Sequence, residues 1–258
     1  MTILAKTCRK DDGAVAPFVF ARQSELENLR SRLAERRSFL LHGPAGVGKT
    51  LLLSATLTEF PATMYSRQNS TPQMLFRNLA EALFAAGDPI LKKMCPGGQV
   101  AMEKKTAVAC KGLVRDALCD SKYVVVLDHL ARPSQSLASA VRELKVNCSV
   151  PVVAVSRSDH MEDAGFVLPL FPERREKFPL ANFDDATALQ FAKLVAEREA
   201  LNAHNLGQFL DKLIEYSGGN PGAIVQMIRM ARSGKYMAEG QIKIAPLYID
   251  YKMAALSR

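Results

Sequence analysis

Residues 43–50 read Gly-Pro-Ala-Gly-Val-Gly-Lys-Thr and match G-x-x-x-x-G-K-T, the pattern of a loop that binds nucleotide phosphates. We call these residues the phosphate loop. Glycines at this spacing let the backbone turn its N–H groups toward a chain of phosphates. Lys49 would then neutralise the β- and γ-phosphates, and the Thr50 hydroxyl would bind Mg²⁺. The pattern predicts ATP and Mg²⁺ as cofactors. The predicted cofactor-binding residues of this segment are Gly43, Pro44, Ala45, Gly46, Val47, Gly48, Lys49, Thr50 and Leu51.

The sequence on both sides of the phosphate loop favours the same interpretation. The apolar run Ser38–His42 predicts a short buried strand, and the leucines from Leu51 onward predict a helix. The N-terminus of that helix would attract an anion, because its free N–H groups and its dipole both favour negative charge. The alternative is a glycine turn without a ligand, which the strand before and the helix after disfavour.

A second chemical group follows the apolar run Val124–Leu127, which predicts another buried strand. Asp128 comes directly after it, and a buried carboxylate is unfavourable unless a cation or hydrogen-bond donors stabilise it. P-loop enzymes place an aspartate at such a strand end, where it helps to hold Mg²⁺. We therefore predict Thr50 and Asp128 as the metal-binding residues, and Lys49 and Asp128 as catalytic residues.

Two further residues are candidate catalytic groups. His129 stands where many P-loop ATPases carry the glutamate that activates water; it could serve as a base, since a histidine pKa lies near neutrality, or it could be a polar residue at a strand end. Arg157 follows the predicted strand Val150–Val155 and could sense the γ-phosphate, or it could be an ordinary surface arginine. Without the glutamate, slow hydrolysis is expected unless a partner completes the site.

Composition limits the possible classes of protein. The 258 residues suffice for one α/β domain and a smaller unit, and no apolar run is long enough for a membrane span, so no membrane association and a cytoplasmic location are expected. The five cysteines contain no C-x-x-C pair and the four histidines show no ligand spacing, which argues against disulfides and structural zinc. A net charge of +8 allows nucleic acid as a partner, although the basic residues are scattered and equally fit a solvated surface.

The order of predicted elements gives the fold class. Strands alternate with helices up to about residue 178, which predicts an α/β fold with a parallel β-sheet sandwiched by helices. Within it we predict an N-cap at Ser24, a loop over residues 95–99 and one helix from Ala101 to Cys119. From about Pro179 the pattern is helical, with a first helix over residues 185–203 capped by Asp184.

Four segments together resemble the AAA+ and STAND branch of P-loop ATPases, which includes origin-recognition ATPases and transposition regulators. They are the phosphate loop, residues 18–26 before it, the strand-end residues Asp128 and Ser156–Arg157, and Ser217–Gly222. The resemblance covers roughly residues 18–232. Ala21 replaces the usual glycine of the first segment, and no arginine follows Asn220–Pro221, where replication initiators often carry a second sensor.

The resemblance implies a P-loop core followed by a small all-helical lid. The implied domains are a tail over residues 1–16, the core over 17–176, the lid over 177–235 and a C-terminal extension over 236–258. Arg22 and Pro221 would bind the base side of the nucleotide. In this branch hydrolysis commonly needs an arginine from a neighbouring subunit, so a homo-oligomer in the ATP state is expected. The candidates for this arginine are Arg132, Arg174 and Arg175.

The functional expectation is an ATP-binding and ATP-hydrolysing molecular switch that depends on Mg²⁺. Two alternatives stay open. The first is a DNA-associated ATPase of the loader or transposition-regulator type, which the positive net charge favours. The second is a nucleotide-binding scaffold with little hydrolysis, which His129 in place of the usual glutamate favours. A kinase that uses the same loop is a weaker option, because no acceptor site is recognisable.

Overall fold

A computed structural model describes residues 19–67, 69–119, 121–130 and 132–256, so the predicted tail over residues 1–16 lies outside the described part. The described residues form two compact units. The first contains the chain up to Gly43 and Lys49–Leu180, and the second contains Pro44–Gly48 and the chain from Ala181 onward. Most of the phosphate loop therefore belongs to the same unit as the C-terminal helices.

The first unit is built on a five-stranded sheet in which every neighbouring pair is parallel. The spatial order of the strands is β2-β3-β4-β1-β5. Their bounds are β1 Phe39–His42, β2 Thr63–Ser66, β3 Val124–Leu127, β4 Val152–Ser156 and β5 Lys177–Pro179. The strands β1, β3 and β4 consist almost wholly of buried apolar residues, as expected for a parallel sheet that helices cover on both faces.

Eight helices accompany this sheet in the described part of the first unit: α1 Gln23–Ala34, α2 Lys49–Leu57, α3 Pro72–Ala85, α4 Pro89–Met94, α5 Gly98–Glu103, α6 Ala107–Leu118, α7 Gln135–Arg142 and α8 Met161–Ala164. A π-helical turn, Glu143–Asn147, continues α7, and 3₁₀ turns span Gly165–Leu170 and Arg174–Glu176. Leucines of α3, α6 and α7 pack with sheet residues such as Leu40 and Val125 in one core. This rigid core holds the strand ends in place.

The second unit is mainly helical and has its own core. Its helices are α9 Asp185–Arg198, α10 Leu206–Ser217, α11 Pro221–Arg232 and α12 Ile244–Leu256, and a two-stranded ribbon pairs β6 Met237–Ala238 with β7 Gln241–Ile242. Phe209 and Leu213 of α10 pack with Ile224 and Ile228 of α11. Gly218 ends α10 in the left-handed conformation, with a φ of 54°.

The predicted fold class is confirmed, with corrections in detail. Ser24 is not the N-cap of α1, because it is the second helical residue and its hydroxyl donates to Glu25. The predicted helix Ala101–Cys119 is two helices, because Thr106 is extended and its hydroxyl accepts the N–H of Ala109, which starts a new helix. The predicted loop over residues 95–99 is shorter than expected, because α5 begins at Gly98.

The end of α9 and the short elements also differ from prediction. Asp184 caps α9 as predicted, accepting the N–H of Thr187 at 2.7 Å, but the helix ends at Arg198 rather than near Ala203. Ala200 follows with a φ of 50°, which closes the helix. Helix α4, strand β5 and the ribbon were not predicted. Among the described residues no helix has both the length and the apolar character needed to cross a bilayer.

Candidate nucleotide-binding site

The predicted catalytic groups of the first unit lie at the carboxyl edge of the sheet. Gly43 follows β1, Asp128 follows β3 and Arg157 follows β4. Because all strands are parallel, their carboxyl ends meet at one edge, which is where α/β proteins bind ligands. Strand β4 lies between β1 and β3, so Asp128 is two strands away from the start of the phosphate loop.

Lys49 is the first residue of α2, directly after the glycine turn. Its ammonium Nζ donates to the carbonyl oxygen of Gly43 at 2.5 Å. Burial lowers the pKa of Lys49; the negative charge of Asp128 partly opposes this shift, and the positive charge of Arg157 adds to it. The charges at the ends of both β3 and β4 therefore affect the pKa of Lys49.

Asp128 and Thr50 form the most direct link between the two predicted motifs. The Thr50 hydroxyl Oγ1 donates to Asp128 Oδ2 at 3.0 Å, and the backbone N–H of His129 donates to Oδ1 at 2.8 Å. Asp128 is only 1% exposed. A hydroxyl and a carboxylate at this distance are hard oxygen donors of the kind that Mg²⁺ prefers, so the residues present fit the metal.

Tyr65, which was not among the predicted site residues, completes the surroundings of this carboxylate. It lies on β2, and its phenol O–H donates to Asp128 Oδ2 in a short hydrogen bond. Burial raises the pKa of Tyr65, and the hydrogen bond to Asp128 raises it further. The phenol therefore stays protonated and remains a donor at any physiological pH.

The backbone of Asp128 is held by a second buried group that was not predicted. The Asn69 amide Nδ2 donates to the carbonyl oxygens of Ser66, at 3.0 Å, and of Asp128, at 3.3 Å. Its Oδ1 accepts the Ser66 hydroxyl at 2.7 Å. Asn69 thus ties the end of β2 to the end of β3 and limits movement of the catalytic candidate.

His129 is placed differently from its neighbour. Its backbone has a φ of 55°, a left-handed conformation that is uncommon outside glycine. Its imidazole is 65% exposed, and Nε2 lies 3.5 Å from Asp128 Oδ2. The side chain is therefore open to solvent beside a buried carboxylate. This position is compatible with both predicted roles, a base and a polar strand-end residue.

The middle of the phosphate loop, Pro44–Gly48, belongs to the second unit. Gly46 and Gly48 have φ values of 81° and 103°, which side chains other than glycine rarely adopt. The Val47 N–H donates to the carbonyl of Pro44 at 3.3 Å. On α11, the N–H of Gly222 donates to the carbonyl of Gly46 at 2.9 Å.

The other predicted site residues are Arg22, Leu51, Arg157 and Pro221. Arg22 is buried, and its guanidinium pairs with Glu25 at 2.7 Å. Leu51 is 43% exposed on α2, and Arg157 is exposed. Pro221 is the half-buried first residue of α11. A role of Arg22 and Pro221 beside the base, and of Arg157 as a phosphate sensor, remains a prediction.

The candidates for an arginine that acts on a neighbouring subunit lie on the surface. Arg174 and Arg175 are exposed in a 3₁₀ turn, and Arg175 pairs with Glu173. Arg132 is exposed, and its Nε donates to the carbonyl of Glu162 at 2.9 Å. Their predicted role stays a prediction.

Ala21 has a left-handed backbone conformation. The first segment of the resemblance carries glycine at this position, and Ala21 adopts a φ of 49°. The turn that leads into α1 is therefore left-handed at an alanine, which has a conformational cost.

Comparison with solved structures gives the class of the fold. A Walker-type ATPase of Pyrococcus abyssi matches with a TM-score of 0.56 and 16% identity over 93% of this chain and 76% of that chain. The origin-recognition protein of Aeropyrum pernix, solved with DNA, matches with a TM-score of 0.60 and 17% identity over 93% of this chain and 66% of that chain. The Drosophila origin recognition complex bound to DNA matches with a TM-score of 0.59 and 14% identity over 94% and 63%.

This chain therefore has the fold of the AAA+ P-loop ATPases. It spans about two thirds of the length of the two origin-recognition chains. No protein-family model matches the sequence, and no curated protein matches it either. At these identities the likeness concerns the fold, and function has to be argued from the site.

Proposed function

We propose that the protein binds ATP together with Mg²⁺ and hydrolyses it as a slow molecular switch. The observation that carries this proposal is the 3.0 Å hydrogen bond from Thr50 to Asp128. It joins the last residue of the phosphate loop to the buried carboxylate at the end of β3. Two oxygen donors, held together beside a lysine at the carboxyl edge of a parallel sheet, are the arrangement that phosphoryl-transfer chemistry requires.

Lys49 has the main part in binding the phosphates. Its ammonium would exchange the carbonyl of Gly43 for oxygens of the β- and γ-phosphates, where its charge is worth more because the group is partly desolvated. Thr50 and Asp128 would hold Mg²⁺, which when bound neutralises charge on the same phosphates. Arg157, whose charge already reaches Lys49, would add positive charge near the γ-phosphate.

His129 determines the expected rate. Its exposed imidazole stands where many P-loop ATPases carry the glutamate that activates water, and without that glutamate we expect slow hydrolysis unless a partner completes the site. Slow turnover suits a switch. Because Pro44–Gly48 belong to the same compact unit as α9–α12, a change in the loop on nucleotide binding would be transmitted to those helices.

Binding of ATP by the purified protein tests the proposal. We expect saturable binding that is stronger with Mg²⁺ than with a chelator. Lys49→Ala should weaken it about 10- to 100-fold, the range expected for the loss of a charged hydrogen-bond donor. Lys193→Ala, which removes an exposed lysine on α9, is the matched control and should bind as the unmodified protein does. An equal loss of ATP affinity in both variants, or no ATP binding by the unmodified protein, would refute the proposal.

A DNA-associated ATPase is the second candidate function. The net charge of +8 supports it, and two of the similar structures were solved with DNA. The test is the anisotropy of a labelled DNA duplex at low and high salt, with and without ATP. Binding that weakens steeply with salt, together with hydrolysis that DNA stimulates, would favour this candidate. No binding at low salt would end it.

An ATP-dependent homo-oligomer is also proposed, because the site would then receive an arginine from a second copy. Arg132, Arg174 and Arg175 are exposed and so available. A mass measurement in solution, with and without ATP, decides between a monomer and an assembly. An assembly whose hydrolysis falls on mutation of one of these arginines would support the proposal, and a monomer under both conditions would contradict it.

A further inference from the structure

The backbones of the phosphate loop and of α11 approach each other so closely that Gly222 of α11 has no room for a side chain. A Cβ atom added at Gly222 would lie 2.8 Å from Gly46 Cα and 2.9 Å from Gly46 O. A Cβ atom added at Gly46 would lie 2.7 Å from the Asn220 side-chain oxygen. Real Cβ atoms do not come this close to backbone atoms, so glycine at position 222 is what permits the approach, while the φ of 81° at Gly46 favours glycine there.

Two hydrogen bonds use this proximity. The N–H of Gly222 donates to the carbonyl of Gly46 at 2.9 Å, and the Asn220 amide Nδ2 donates to the carbonyl of Ala45 at 2.9 Å. Asn220 is itself fixed, because its Oδ1 caps α11 by accepting the N–H of Ala223 at 3.1 Å. Its Nδ2 also lies 3.1 Å from the Asn182 Oδ1. The donors that meet the loop are therefore held by the helix terminus.

These bonds also fix the direction of the loop's N–H groups. In a planar trans peptide the C=O and the N–H point in opposite directions. With the Ala45 carbonyl turned toward Asn220, the Gly46 N–H must point away from α11. With the Gly46 carbonyl turned toward Gly222, the Val47 N–H must also point away, and it does so toward the carbonyl of Pro44.

We infer that Asn220 and Gly222 are positioning residues that brace the phosphate loop, holding it in the shape that receives the phosphates of a nucleotide. The inference rests on the proposed function for the identity of the ligand, but the brace itself is a property of the protein alone. The brace would also couple α11 to a bound nucleotide. A phosphate loop that shifts on nucleotide binding would move the two backbone carbonyls that α11 contacts.

The test is Gly222→Ala, compared with Gly207→Ala as the matched control. Both glycines are the second residue of a helix in the same unit, and alanine favours a helix over glycine by about 1 kcal/mol. A Cβ atom at Gly207 meets nothing within 4 Å. The two variants therefore share the gain in helix propensity, and Gly222→Ala alone adds a clash with the phosphate loop.

Two measurements are made on the full chain: affinity for ATP and ADP, and hydrogen exchange of the peptide that contains residues 44–48 without nucleotide. We expect Gly222→Ala to weaken the binding of both ATP and ADP about tenfold or more and to speed hydrogen exchange of the loop amides. Gly207→Ala should change neither. Affinity for adenosine, which has no phosphates, should be the same in all three proteins, whereas general misfolding would reduce it.

Asn220→Ser provides a second variant in case Gly222→Ala does not fold. Serine keeps an oxygen that can cap α11 and loses the amide that reaches Ala45, so we expect faster exchange of the loop and weaker nucleotide binding. Unchanged exchange and affinity in both variants would overturn the inference. If the unmodified protein binds no ATP, the proposed function fails, and the exchange measurement alone decides whether the brace exists.

Discussion

The phenol of Tyr65, on strand β2, donates a hydrogen bond to the Oδ2 atom of Asp128 at the end of β3. The same oxygen accepts the Thr50 hydroxyl, so both of its lone pairs are used. Oδ1 accepts the N–H of His129. Three hydrogen bonds therefore orient the carboxylate that would hold Mg²⁺.

Tyr65→Phe should loosen this carboxylate while keeping the ring in place. We expect the Mg²⁺ concentration for half-maximal hydrolysis to rise and the rate at saturating Mg²⁺ to fall. The ratio of that rate to that concentration should fall about 10- to 100-fold, as for other residues that orient metal ligands. Tyr123→Phe, a half-buried tyrosine of the same unit, is the control. Overlapping Mg²⁺ titrations for the two variants would show that Tyr65 does not position Asp128.

Ala21→Gly should stabilise the protein. Alanine in the left-handed region costs about 1–2 kcal/mol, and the greater freedom of glycine in the unfolded chain offsets about 0.5–1 kcal/mol of the gain. A net gain of about 0.5–1 kcal/mol should raise the melting temperature by roughly 1–4 °C. Ala34→Gly, at an exposed helical position of α1, should lower it instead. A lower melting temperature for Ala21→Gly would contradict the strain at this turn.

His42 should make folding sensitive to mild acid. Burial lowers its pKa; the charge of Asp159 partly opposes the shift, and those of Lys177, His160 and Lys49 add to it. The unfolded chain therefore binds a proton near pH 6.5 while the folded protein does not, so stability is full above pH 6.5 and falls as the pH decreases toward the lowered folded pKa. Denaturant unfolding at several pH values measures this, and His42→Asn should flatten the slope between pH 6.5 and 5. An equal slope in the variant would show that His42 is not responsible.

The parts of the site that follow from local sequence were predictable. The glycine spacing before Lys49 encodes a turn, and the apolar run before Asp128 encodes a strand and its end. Parallel strands bring their carboxyl ends to one edge of the sheet. Tyr65 was not predictable in this way, because the strand that carries it is short and nothing in a lone tyrosine indicates a carboxylate partner. Asn69 was missed for the same reason, since its partner Asp128 lies 59 residues further along the chain.

The fold shows the same division between local and distant causes. The helix cap at Asp184 was read correctly from the sequence, because a cap depends on residues within one turn. Strand β5 was missed, because three residues that end in a proline carry no pattern and pair only through contact with β1. For Gly222 the sequence showed that an expected arginine was missing, but only the structure shows that its backbone lies against Gly46.

Steady-state phosphate release by the purified protein tests the central claim most directly, because that claim is that Thr50 and Asp128 complete a site for Mg²⁺ and ATP. Asp128→Asn keeps the shape of the side chain and removes its charge, and Asp116→Asn makes the same change at an exposed position on α6. The account predicts slow, Mg²⁺-dependent release that Asp128→Asn abolishes and Asp116→Asn leaves intact. Release that survives Asp128→Asn would contradict it, and ATP binding without any release would leave the nucleotide-binding scaffold as the function.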